Sequence, residues 1–173
     1  MAKEIYKRED AEENLFRECL LKYHSIESCR STGKIDMEYH IDLYLGNGLS
    51  VDVKSQKRIN RSDMEPSDKY TWIELRNSSG RRGWLYGRAT HIAFAMGNHY
   101  LMVERRHLVD YTEKVLRSMK LIDGQTQKYI ITEKGKGFAP YKIYSKNGHD
   151  KIMMVRVKDL RGLNHVMVVR DAG

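Results

Sequence analysis

Proline and cysteine are scarce, with two of each in 173 residues. Cys19 and Cys29 are too few to build a structural zinc site unaided, and their spacing matches no zinc motif. They read as reduced thiols of a cytoplasmic protein, with Cys19 in the core. No apolar run is long enough to span a bilayer. The opening MAKEIYKRED holds no apolar segment that would act as a secretion signal. A membrane partner is therefore not expected. Internal repeats and low-complexity tracts are lacking as well. Gly135-Lys136-Gly137 does not make a nucleotide phosphate loop, so ATP use is not expected. The seven histidines are scattered, none at zinc-ligand spacing.

Acid is the other shortage. There are 23 acidic residues against 31 lysines and arginines, a net charge of +8. Such a balance favours a polyanionic partner, nucleic acid being the commonest. Hydrophobic residues make up 40% of the chain, enough for a folded core at this length.

What is present reads as one α/β domain with a mixed sheet. Arg8 to His24 is helical: Ala11, Leu15, Cys19 and Tyr23 recur every four residues, and Phe16 and Leu20 widen the stripe. Glu12 falls near the middle of that apolar half, where a carboxylate is costly unless something needs it; a solvated first turn is the alternative. Ile35–Leu45 and Leu49–Gln56 read as strands joined by Gly46-Asn47-Gly48. Asn60 to Lys69, with Pro66, is a loop, and Tyr70–Leu75 a short strand. HIAFAM and HYLMVE form a hairpin around Gly97-Asn98, and Arg105 to Met119 is an amphipathic helix. In the last third QKYIIT and HVMVV read as strands, and YKIYS and DKIMMVRV flank a turn at Asn147-Gly148.

One hairpin carries chemistry. On its second strand Ser50, Asp52, Lys54 and Gln56 share one face, with Leu49, Val51 and Val53 behind them. Asp42, on the preceding strand, reaches the same side. Two carboxylates beside a lysine suit phosphodiester hydrolysis. The hard oxygens hold Mg2+, and the ammonium positions water or stabilises developing charge. A polar, solvent-facing sheet side with an ordinary Asp–Lys contact gives the same alternation.

The stretch IDLYLGNGLSVDVKSQ resembles the core motif of the PD-(D/E)XK nuclease superfamily, which includes many restriction enzymes and archaeal Holliday-junction resolvases. That motif is an aspartate, a short strand connection, then Asp or Glu, one residue and Lys. The superfamily often adds a glutamate on the first helix with apolar residues three and seven positions on. Glu12 with Leu15 and Cys19 fits, as does Glu13 with Phe16 and Leu20. The helical wheel prefers Glu12. Here Ile41 stands where a proline often precedes the first acid, the second acid is aspartate, and the Asp42–Asp52 gap is short.

The resemblance covers about residues 8–119, leaving a β-rich C-terminal extension of about residues 120–173 within a single domain. It implies a restriction-endonuclease-like mixed β-sheet flanked by helices, with extra C-terminal strands. It implies that Asp42, Asp52 and the Val53 carbonyl bind Mg2+, with Mn2+ able to substitute, that Lys54 is the catalytic lysine, and that Gln56 is auxiliary. Asp36 is the alternative first acid. The activity implied is a metal-dependent DNA endonuclease, of phage or mobile-element type by its compactness, working as a homodimer because one such site cuts one strand.

Lys57, Arg58 and Arg61 follow the motif directly. Arg76, Arg81, Arg82 and Arg88 then bracket Trp84 and Tyr86 in the glycine-punctuated RNSSGRRGWLYGR. These arginines suit phosphate contacts. Trp84 and Tyr86 are either base-stacking side chains or core residues, and Glu74 is either a further acid or a strand charge. Two rival readings stay open: a non-catalytic nucleic-acid-binding module, and a basic structural or assembly protein.

Overall fold

The helical stripe and the glycine turns organise the chain largely as their chemistry dictates. The structure is a computed structural model describing residues 2–59, 63–123, 140–145 and 148–170. In chain order its elements are α1 (Ala2–His24), β1 (Ser28–Arg30), α2 (Lys34–Tyr39), β2 (Leu43–Leu45), β3 (Ser50–Lys54) and β4 (Tyr70–Arg76). A 3-10 turn (Trp84–Tyr86) follows, then β5 (His91–Ala95), β6 (His99–Glu104), α3 (Arg105–Asp123), β7 (Ile143–Tyr144), β8 (Lys151–Arg156), α4 (Val157–Leu160) and β9 (His165–Val169).

These elements form two compact units. The first comprises Met1–Gln56, Gly87–Arg105 and Asn164–Gly173; the second comprises Lys57–Tyr86 and Arg106–Leu163.

The first unit is a six-stranded sheet in the order β1-β2-β3-β5-β6-β9. It is mixed: β3 and β5 run parallel, and the other neighbours are antiparallel. Gly48, at φ 86, closes the β2–β3 turn, a conformation that costs glycine little. α1 lays Phe16, Cys19 and Leu20 in one cluster with Leu43, Leu45, Val51, Val53, Tyr100 and Val168. Phe16 meets Tyr100 edge-on at 4.7 Å. Each large side chain so buried stabilises the fold by about 1.5–3 kcal/mol. β3 is buried along both faces until Lys54, so it is a central strand and not the half-wet one that strict alternation describes.

The expected strand Ile35–Leu45 is corrected by the structure. Its first part is the short helix α2, which ends at His40 in the left-handed region at φ 52. Only Leu43–Leu45 is strand. A short run of mixed apolar and polar residues fits either period, and the left-handed break at His40 decides it. Asp36, the alternative first acid, therefore sits on a helix and not on one strand with Asp42.

The second unit holds the sheet β4-β8-β7, antiparallel throughout. Trp72 and Tyr144 pack edge-on across it at 5.7 Å. The C-terminal third is not an appendage: β7 and β8 complete the β4 sheet, and β9 completes the first sheet. The strand read at QKYIIT, residues 127–132, lies outside the described residues. Among the described residues no helix is long and apolar enough to cross a membrane.

Candidate functional site

Asp42 directly precedes β2, its amide donating to the Val51 carbonyl at 2.9 Å. There the Ile41 and Asp42 carbonyls accept from Ser31, and it is the Asp42 side chain that meets β3. Its Oδ2 accepts the Val53 amide at 2.6 Å. That bond swings the carboxylate over the end of β3, beside Asp52 and Lys54. Asp52 is fully buried and ion-paired with two cations. Lys54 Nζ lies against its Oδ1, and Arg105 Nη2 sits 2.9 Å from its Oδ2.

Arg105 is the residue that sequence reasoning missed. It is the first residue of α3 yet is buried with a 6% exposure. A cation at a helix N-terminus is disfavoured by the helix dipole. An arginine there, straight after the buried run of β6, was the available signal that it serves another group. Its Nε donates to the Ala89 carbonyl at 2.7 Å, and its Nη2 to the His40 carbonyl at 3.4 Å. Gly87 lets this corner close: a Cβ there would meet the His40 Cβ at 2.7 Å and the Tyr39 carbonyl at 2.8 Å. Breaking a buried pair of this kind by removing one partner costs about 3–5 kcal/mol.

The electrostatics follow from crowding. Burial, and then the Asp52 charge, push the Asp42 carboxyl up to about 8; Lys54 and the Val53 amide oppose the rise, and Glu13 adds to it. Burial works to lower the Lys54 ammonium, and the charges of Asp52 and Asp42 outweigh it, so the net shift is upward. Lys54 keeps 23% of its side chain exposed, the one member of the trio with an open approach.

No family model, curated protein or solved structure matches this chain.

The trio fits a hard divalent cation on two counts. First, Mg2+ is commonly bound through one or two carboxylates, with water and substrate oxygens completing its shell. The two carboxylates present suffice, although among the described residues no three acidic, His or Cys side chains form a ligand group. Second, Asp52 Oδ1 is buried against the Lys54 ammonium. A carboxylate oxygen carries two lone pairs, so beside that contact it keeps acceptor capacity.

The other expected residues divide. Glu12 is engaged apart from the trio: it accepts from the Tyr100 hydroxyl at 2.6 Å and pairs with Arg170 at 3.1 Å. Glu13 is the helix acid whose charge reaches Asp42. It is buried, ion-paired with Arg30, and raised by burial against the pull of that arginine. Gln56 lies past the end of β3, so strand alternation does not place it. Val53 turns its side chain into the core, and its amide is what holds Asp42.

Lys57 and Arg58 are exposed, and Arg61 lies outside the described residues. Arg76, Arg81 and Arg82 are exposed on the second unit. Asn77 accepts from the Ser79 and Arg81 amides and shapes their loop. Gly83 passes so close to the Glu74 carbonyl that a Cβ has no room, and the Trp84 amide donates to Glu74 at 3.2 Å. Glu74 is thus a loop anchor. Trp84 is half-buried, and Tyr86 carries Arg82 over its ring at 5.1 Å. Arg88, in the first unit, is exposed and stacks on Tyr39 at 4.1 Å.

Proposed function

We propose that this chain is a Mg2+-dependent endonuclease acting on DNA, on a restriction-endonuclease-like variant of the mixed α/β fold. The observation that carries the reading is the meeting of Asp42, Asp52 and Lys54 at one buried point, with Asp42 steered there by the Val53 amide. A solvent-facing polar sheet side has no reason to bury two carboxylates. Asp42 and Asp52 hold the ion, with Mn2+ as a substitute. When bound, the ion supplies Lewis-acid charge stabilisation to the phosphoryl group. Lys54 brings its ammonium to the same place, where it positions the attacking water and stabilises charge developing in the transition state. Arg81, Arg82, Arg76, Lys57 and Arg58 offer phosphate contacts that position the nucleic acid. A homodimer supplies the second site needed to cut both strands.

A second reading has one observation in its favour. Lys54 and Arg105 both pair with Asp52, and burial keeps Asp42 protonated up to about pH 8, so the cluster stands without a metal, which suits a nucleic-acid-binding module that does not cleave.

Nicking of supercoiled plasmid, with Mg2+ or with chelator, separates the two. The nuclease reading expects Mg2+-dependent nicking. Lys54→Ala should reduce it by about 100-fold or more while retaining most DNA affinity. DNA binding without nicking in either Mg2+ or Mn2+ would establish the binding module instead.

A further inference from the structure

The two oxygens of Asp52 are treated differently. Oδ2 accepts from the Arg105 guanidinium at 2.9 Å, whereas Oδ1 meets Lys54, an ammonium on a flexible stem with 23% of its side chain exposed. The guanidinium is fixed on three acceptors: Asp52 Oδ2, the Ala89 carbonyl at 2.7 Å and the His40 carbonyl at 3.4 Å. It is also hemmed by Gly87, where an added Cβ would stand 3.0 Å from Nη1. A planar fork held this way does not swing aside without breaking several bonds together. On Asp42, Oδ2 is already taken by the Val53 amide.

We infer that Arg105 occupies the second cation position of the Asp42–Asp52 pair, so that the site takes one divalent ion and not two. The inference rests on reading the pair as metal ligands. Two-ion phosphodiesterase sites hold their ions about 3.5–4 Å apart, close enough to share a bridging ligand. A carboxylate that bridges two ions through its two oxygens needs both of them open. Asp52 has one, since its other oxygen is committed to a cation that does not exchange. Charge points the same way. Once ionised to hold a metal, the two carboxylates face two cations here. One divalent ion brings the cluster to a net charge of about +2, which a phosphodiester and its leaving group offset. A second would bring about +4 into a buried place, where unpaired charge is costly. Arg105 touches no substrate in this scheme. It is a positioning residue that supplies, as a fixed charge, what a second ion supplies elsewhere.

The experiment is Mn2+ titration of the full chain without DNA, by calorimetry and electron paramagnetic resonance. The wild type should take one Mn2+ per chain with no spin coupling. Arg105→Gln should take a second, with the coupled spectrum of neighbouring ions, and Arg105→Lys, which keeps the charge, should stay at one. Asp42→Asn should lose the single ion. Two coupled ions in the wild type would overturn the inference and leave the nuclease reading standing, as would Arg105→Gln remaining at one ion. A wild type that takes none would overturn the metal site altogether. Because the wild-type stoichiometry decides by itself, the test survives an Arg105 variant that fails to fold.

Discussion

Asp42 is the residue on which function and stability pull in opposite directions. Its carboxyl, ordinarily near 3.8, is raised to about 8 by burial and by Asp52. Between those values the folded chain keeps a proton that the unfolded chain has released. Folding stability therefore falls as pH rises through this window. Glu13, also raised, adds to the fall with the same sign. In chelator, denaturant midpoints should decline from about pH 5 to about pH 8, Asp42 losing no more than about 1.4 kcal/mol per pH unit. Asp42→Asn should flatten most of that slope, gain stability at pH 8 and abolish nicking. A midpoint that rises with pH across the window would contradict the burial of Asp42 as an acid poised to be neutral. Asparagine keeps an oxygen for the Val53 amide, so the variant changes charge with little change of shape.

At the scale of elements the rotation of α1 is decisive. The apolar stripe is wide, with Leu15, Phe16, Cys19 and Leu20 all turned at least partly inward; Glu12 falls near its middle and Glu13 at its edge beside Leu20. The sequence wheel favours Glu12, yet the edge that meets Asp42 is set by how α1 lies on the sheet, a tertiary fact that local periodicity does not contain. The two acids should separate cleanly on substitution. Glu12→Gln gives up a charged partner for Arg170 and weakens the Tyr100 contact, and should cost about 1–3 kcal/mol in urea denaturation with nicking intact. Glu13→Gln should reduce nicking with little loss of stability. The reverse pattern would return the role to Glu12. Other parts were legible for identifiable reasons. The Asn47-Gly48 turn demands a positive φ and announces itself. The meeting of Asp52 with Lys54 follows from strand alternation, and that of Asp42 with Asp52 from the hairpin. Arg105 and α2 were not legible. The first joins Asp52 across more than fifty positions of chain, and the second was decided by a left-handed His40 that no local pattern marks.

For the whole molecule, the proposed function gives the net charge of +8 a part in the encounter with nucleic acid, and Arg81 and Arg82 are exposed to share in it. Replacing both with alanine should weaken DNA binding without regard to sequence. It should also reduce the slope of log affinity against log salt by about one for each phosphate no longer neutralised. An unchanged slope in fluorescence anisotropy would remove these residues from the interface. The placing of β9 has a consequence of another kind, for biosynthesis. β6 must wait for His165–Val169 before its outer edge is paired, whereas β4 and β8 are both complete by Arg156. A chain leaving the ribosome thus finishes the inserted sheet first and the sheet that frames Asp42 and Asp52 last. A nascent chain halted before residue 165 already carries both aspartates, Lys54 and Arg105. It lacks the outermost strand, and it lacks the Arg170 that ties down Glu12. The order of translation thereby leaves the β6 edge of the sheet that carries Asp42 and Asp52 unpaired until residues 165–169 have been made.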